Sequence, residues 1–171
     1  MSTSEAVYRI PFRAATKALL EVLESCTELG LTWFDGDTSP ETVHNSFKRQ
    51  AEFAYGIFAN SDAEVLDNTK SEVLWDFWLD LEIYSNYKGR LVVAQKLEVL
   101  LNYLSSDEGF GQLCTKLSDN GYKLLSIDAG KLHISLPIHG EYGLWQNGSV
   151  PLVLHLEQSS DSDYEEEVNN E

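Results

Sequence analysis

Apolar residues recur at helical spacing in three segments of the chain. The second segment, residues 91–104, carries a leucine stripe, and the third, residues 107–120, is shorter. Glycine follows the first and third segments at Gly30 and Gly121, as is common where helices end. The first segment, about residues 9–28, places these apolar side chains on one side: Phe12, Ala15, Leu19, Val22 and Leu23. We therefore predict two main amphipathic helices and a shorter third.

Alternation of apolar and polar residues predicts strands in the rest of the chain. The clearest case is residues 74–84, where the pattern holds over five periods and gives one buried and one acidic face. Residues 38–50 fit either a loop or a short helix beginning near Pro40. Turn residues at 60–62 and 146–149 are expected to end one strand and begin another. Shorter strands are expected at 31–34, 51–58, 122–127, 131–138 and 150–156. Pro137 should push the end of the 131–138 strand to a sheet edge or a loop.

This order of elements predicts one α+β domain over residues 1–157. We expect a mainly antiparallel β-sheet with the two main helices packed on one face. From Glu157 onward the chain has seven acidic residues, no basic residue and no periodicity. Such a segment cannot bury enough apolar surface to fold alone. We therefore predict that residues 158–171 form a disordered acidic tail.

The charge of the chain narrows the classes of function. Its 171 residues have a formal net charge of −16, and about −9 remains without the seven acids of the C-terminal segment. Binding to a nucleic-acid backbone needs clustered lysine and arginine, so specific nucleic-acid binding is not expected. The charge fits either a solubility role or a surface that pairs with a basic partner. No apolar run approaches the roughly 20 residues of a membrane helix, and we expect neither a membrane span nor a secretory leader.

Candidate chemistry is sparse along the sequence. Asp76, Asp80 and Glu82 share one strand face and could hold a cation, but carboxylates alternating with apolar residues are also typical of a solvated strand face. No nucleophile elbow, glycine-rich phosphate loop or zinc spacing occurs. Cys26 and Cys114 lie in or near apolar helical stripes, where cysteine acts as a small hydrophobe. We predict that the protein is not an enzyme and binds no metal or cofactor.

Several residues are candidates for contact with a partner. The basic pair Lys88 and Arg90 lies at a strand-to-helix junction. Tyr142, Leu144 and Trp145 lie in a glycine-flanked loop and resemble interface anchors, although Trp145 could equally fold back on the core. His133 and His155 are placed opposite the apolar faces of their strands, as exposed or interface residues.

The element order resembles the tail-terminator and tail-completion proteins of long-tailed bacteriophages. The resemblance covers roughly residues 10–157 and rests on these segments in order: ATKALLEVLES, LTWFDGD, LWDFWLDLEIYSN, RLVVAQKLEVLLNYL and PLVLHLE. It implies a homo-oligomeric ring of six subunits at the head-proximal end of the tail, which stops tube polymerisation and docks on the head connector. Its partners would be itself, the tail tube protein and the head–tail connector proteins, in the virion after assembly in the host cytoplasm.

Two functions therefore remain open from the sequence. In the ring, Asp76, Asp80 and Glu82 would face a lumen through which DNA passes without sticking. The alternative is an acidic inhibitor or immunity protein that covers a basic protein surface as a nucleic-acid mimic. Oligomeric state separates the two, because a ring closes through heterologous contacts whereas such an inhibitor is usually a monomer or dimer.

Overall fold

A computed structural model describes residues 7–36, 38, 42–43, 53–69, 72–87, 90–140 and 143–159 of the chain. Within these residues the fold is α+β, with three helices and one mixed sheet of seven strands. The helices are α1 Phe12–Ser25, α2 Leu91–Ser105 and α3 Asp107–Ser118. The strands are β1 Thr32–Asp35, β2 Ala54–Asn68, β3 Val73–Ser85, β4 Tyr122–Ala129, β5 His133–Ile134, β6 Ile138–Gly140 and β7 Gly143–Gln158.

The sheet is built around two long central strands. Its order is β1-β2-β3-β7-β4, and the short strands β5 and β6 also pair with β7. All pairings are antiparallel except that of β1 with β2, which is parallel. The α+β class predicted from the sequence is confirmed, and the sheet is mixed. The third helix, α3, contacts both α1 and β4 and so belongs to the same layer as the two main helices.

The helices cover one face of the sheet, where the core lies. Alternate residues of β3 from Trp75 to Ile83 are buried there, and they lie opposite Leu156, Leu154, Leu152, Val150 and Gly148 of β7. The side chains of α1 that repeat every three to four residues pack into the same cluster: Ala15, Ala18, Leu19, Val22 and Leu23. The apolar residues that alternate along the strands and those that repeat every 3.6 residues along the helices thus pack against each other in one core layer.

Two polar segments that were expected to form turns are instead parts of long strands. Residues 60–62 lie inside β2, where the register shifts between Phe58 and Ser61, so a β-bulge accommodates them. Residues 146–149 lie inside β7. Gly148 serves close packing there, since a Cβ at this position would lie 2.3 Å from a methyl carbon of Val93 on α2.

The strand expected over residues 131–138 is found only in part. Only β5 and β6 pair with β7 in this region, and the chain between them is irregular. Pro137 has no N–H to donate to a sheet ladder, which explains the break. Leu132, Leu136 and Ile138, expected to face the core, are all exposed.

The strand β7 extends past the predicted start of the tail. It ends at Gln158, whose side chain is buried. The Oε1 atom of Gln158 accepts hydrogen bonds from the backbone N–H of Arg9 at 2.9 Å and from Nε1 of Trp75 at 3.1 Å, and Nε2 donates to the carbonyl of Val7 at 2.6 Å. Gln158 therefore belongs to the folded domain and fastens the N-terminal segment to it. Residues 160–171 of the predicted tail and most of residues 38–50 lie outside the described residues.

Candidate functional site

The face of the sheet opposite the helices, here called the open face, carries the predicted carboxylates. Asp76, Asp80 and Glu82 alternate along β3 with the core residues and all lie on this face. Other acidic residues on neighbouring strands share it: Asp62 and Glu64 of β2, Asp128 of β4 and Glu157 of β7. Lys123, opposite Glu157, is a basic residue on the same face. The open face is thus strongly acidic among the described residues.

The three predicted carboxylates have different surroundings. Asp76 is 9% exposed and bound to a histidine, whereas Asp80 is half-buried opposite Pro151. Glu82 accepts a hydrogen bond of 3.1 Å from the hydroxyl of Tyr84. They therefore do not converge on one point, and no group of three or more His, Cys, Asp or Glu in the described part of the chain is placed to hold a metal ion.

A histidine bridges two carboxylates across three strands. His155 of β7 places Nδ1 2.5 Å from Oδ1 of Asp76 on β3 and Nε2 2.7 Å from Oδ2 of Asp128 on β4. Burial by itself lowers the pKa of His155, but the hydrogen bonds to Asp128 and Asp76, together with their charges, outweigh it and raise the pKa. Sequence alternation placed His155 on this face, but nothing in the sequence paired it with acids 27 and 79 residues away.

Trp78 lies beside this bridge, between Asp76 and Asp80 along β3. It is opposite Asp62 on β2 and Val153 on β7, and its side chain is 42% exposed. A large exposed aromatic residue among carboxylates is the kind of residue that anchors protein contacts.

An aromatic cluster occupies the other end of the open face. The rings of Tyr55 and Tyr84 stack at 5.3 Å, and Trp145 packs against Tyr55 at 5.8 Å and against Phe53 at 5.3 Å. Burial, followed by the charge of Glu82, raises the pKa of Tyr55 to about 12 and that of Tyr84 still further. These phenols therefore stay neutral in ordinary buffers.

The residues predicted from the sequence to contact a partner do not form one site among the described residues. Trp145 is half-buried in the aromatic cluster, while Leu144 next to it is 39% exposed. Arg90 is exposed at the start of α2. Lys88 and Tyr142 lie outside the described residues.

The two ends of the sheet carry separate exposed apolar patches. The hairpin patch lies where β2 and β3 meet the N-terminal segment, and consists of Val7, Tyr8, Ile10, Val65 and Leu66. At the opposite end of β3 and β7 the exposed apolar residues, here called the loop patch, are Leu91, Leu136, Ile138 and Leu144. Ile138 lies opposite Trp145 and Leu144 lies opposite His139, so these two side chains are on different faces of the β6–β7 ribbon. Residues 145 and 157 of β7 mark these two ends, which at the usual rise of a strand are roughly 40 Å apart.

An apolar cleft of about 410 Å³ lies near the loop patch, between α2 and the segment that contains β5. Its apolar lining residues are Ala94, Leu97, Leu101, Leu132 and Ile134. It is wide enough to receive one or two apolar side chains.

The cysteines show no sign of activation. Cys26 is buried in the core, and burial raises the pKa of the Cys114 thiol. A thiol whose pKa is raised, like that of Cys114, is a poor nucleophile near neutral pH. Among the described helices, none is both long enough and apolar enough to span a bilayer.

Comparison with known proteins adds no family to these observations. The chain matches no protein-family model, and no curated protein matches it significantly.

Proposed function

We propose that the protein is a structural subunit that closes head to tail into a homo-oligomeric ring, as the phage tail terminators it resembles do. In this proposal six subunits cap the tail tube of a virion and present a docking surface to the head connector. The protein acts by binding other protein surfaces and carries out no reaction.

The observation that supports the proposal is the pair of apolar patches at opposite ends of the sheet. A two-fold dimer uses the same patch on both subunits, whereas a ring needs two different surfaces that fit each other. The hairpin patch and the loop patch are different in sequence and lie far apart on one subunit. Exposed apolar side chains at both ends of the sheet offer two different candidate interaction surfaces.

The acidic open face then lines the lumen in this proposal. Asp80 and Glu82 on β3 carry charge that repels the phosphates of passing DNA. Asp76 contributes less, because His155 and burial compensate it. If Asp80→Asn with Glu82→Gln changed neither assembly nor DNA passage, this assignment of the lumen would be wrong.

The first test is the solution mass of the full chain, measured by light scattering behind a sizing column over a range of concentration and salt. The proposal expects a species near six times 19.3 kDa, and negative-stain electron microscopy should show it as a ring with a central opening. A monomer at every concentration, also in the presence of tail tubes, would contradict the ring.

Two complementary variants test the head-to-tail contact itself. Leu66→Asp damages the hairpin patch and Ile138→Asp damages the loop patch, so each alone should be monomeric. Mixed at equal amounts, they should form a heterodimer, because each partner contributes the patch that the other lacks. Leu125→Asp is the matched control: Leu125 is 45% exposed but lies in neither patch, and this variant should still form rings. If the mixture stays monomeric while the control forms rings, the two patches do not meet.

A second candidate function is favoured by Trp78. An exposed tryptophan surrounded by Asp62, Asp76 and Asp80 suits an arginine-bearing protein surface. An acidic inhibitor or immunity protein would use the open face in this way. It would be a monomer in the mass measurement, and Trp78→Ala would weaken binding to its basic target, whereas Trp78→Ala should leave a ring intact.

A further inference from the structure

Asp76, His155 and Asp128 form a bridge on the open face in which charged side chains link the three strands β3, β7 and β4. Both ring nitrogens of His155 lie at hydrogen-bond distance from a carboxylate oxygen, at 2.5 Å and 2.7 Å. Asp76 is almost fully buried, while the side chain of Asp128 is 70% exposed. The bridge therefore reaches from the interior of the face to its edge.

A neutral imidazole cannot satisfy both contacts. It has one N–H and one lone pair, and an ionised carboxylate can only accept hydrogen bonds. One of the two contacts would then set a lone pair against a negatively charged oxygen. Only the imidazolium, which has two N–H groups, donates to both acids at once.

We propose that His155 is a proton-operated clamp: protonated, it holds the edge strand β4 to β7 and β3 across the open face, and deprotonation releases β4 at that point. β4 is the strand most sensitive to such a clamp, because among the described strands it pairs with β7 alone. A register shift between Leu124 and Ser126 already interrupts its ladder next to His155. This inference is independent of ring formation.

The charged groups facing the bridge from each strand favour the imidazolium. Asp76 on β3 and Asp128 on β4 contact it directly. Further acids stand on the same face: Glu64 and Asp62 on β2, Asp80 on β3 and Glu157 on β7. Lys123 of β4 is a basic residue on the same face and lies opposite Glu157 in the strand register.

The sign of the pH dependence follows from the raised pKa of His155. The clamp is fully present below the pKa of a free histidine, about 6.5, and is lost as the pH rises through the higher pKa of the folded protein. On deprotonation the three groups change from a net charge of −1 to −2. The open face thus gains negative charge at the same deprotonation step that releases β4.

Nuclear magnetic resonance titration of the full-length protein tests the clamp without any substitution. In a titration between about pH 5.5 and 9.5, both ring nitrogens of His155 should be protonated at the acidic end, and the midpoint should lie above about 6.5. The amides of residues 126–128 should shift with the same midpoint. His133, which is exposed on the neighbouring strand β5, is the control whose titration should not move them. A midpoint at or below that of free histidine, or β4 amides that do not follow His155, would overturn the proposal.

Substitution of the exposed acid separates a direct contact from a general charge effect. Asp128→Asn removes one acceptor at the surface and should lower the midpoint of His155. Asp119→Asn, which removes the same charge at the end of α3, should shift it much less. Equal shifts of the His155 midpoint in the two variants would mean that Asp128 acts only through its long-range charge, and would refute the clamp.

The stability of His155→Gln gives a second, independent readout. Its urea midpoint should lie below that of the unsubstituted protein at about pH 6.5 and approach it at about pH 9.5. A constant difference at all pH values would mean that His155 matters only for packing. If this variant does not fold, the titrations of the unsubstituted protein and of Asp128→Asn still decide the question.

Discussion

Replacing Gln158 by alanine should destabilise the fold strongly, although the sequence predicted that residue 158 begins the tail. The side chain is 6% exposed and makes three hydrogen bonds, to Arg9, Val7 and Trp75. A net contribution of about 0.5–1.5 kcal/mol for each bond predicts a loss of roughly 2–4 kcal/mol in the free energy of unfolding. Part of this loss arises because Nε1 of Trp75 is left without its partner.

Urea unfolding of Gln158→Ala at neutral pH measures this loss, and Gln112→Ala provides the control. Gln112 is half-buried on α3 and accepts a hydrogen bond from Ser25 at 3.0 Å. Gln112→Ala should therefore lower the free energy of unfolding by about 1 kcal/mol or less. Hydrogen exchange at the Arg9 amide should accelerate in Gln158→Ala alone. A Gln158→Ala protein as stable as the control variant would refute the assignment of this residue to the folded domain.

Two further predictions concern packing and ionisation. Gly148→Ala should lower the free energy of unfolding by about 1–3 kcal/mol, because the added Cβ would lie 2.3 Å from Val93 on α2. Gly111→Ala, where no atom lies within 4 Å of the added Cβ, should instead stabilise α3 by about 0.5–1 kcal/mol. Thermal unfolding of both variants checks the contrast. Tyr55→Phe should leave the tyrosinate absorbance at about pH 11 unchanged, because the pKa of Tyr55 is raised to about 12; a smaller absorbance in the variant would show that Tyr55 ionises normally.

The sequence predicted those elements whose period is uninterrupted. The alternation of β3 and the apolar stripes of the three helices were confirmed, because each pattern matches one face buried against the other layer. The short third helix was also placed correctly, and its N-cap is Ser106, whose Oγ accepts a hydrogen bond from the Gly109 N–H at 3.0 Å.

The missed features depend on contacts between distant residues. Gly148 and the polar residues around it are typical of a turn locally, but the approach of Val93 on α2 requires glycine inside a continuous strand. The bulge falls at residues 59–60, and Ser61 and Asp62 continue β2, because the partner strand β3 continues beyond them. The bridge at His155 could not be predicted, since only the strand order β3-β7-β4 brings its three residues together.

The bonds from Gln158 to Val7 and Arg9 bring the first and last described segments of the chain side by side. The side chain of Arg9 also donates to the carbonyls of Gly121 and Ser159, so the chain enters and leaves the domain at the same end. That end carries the hairpin patch. Any segment that precedes Val7 or follows Ser159, an affinity tag included, therefore joins the domain beside this patch, where it could block self-association. Tag-free protein is the safer material for measuring assembly.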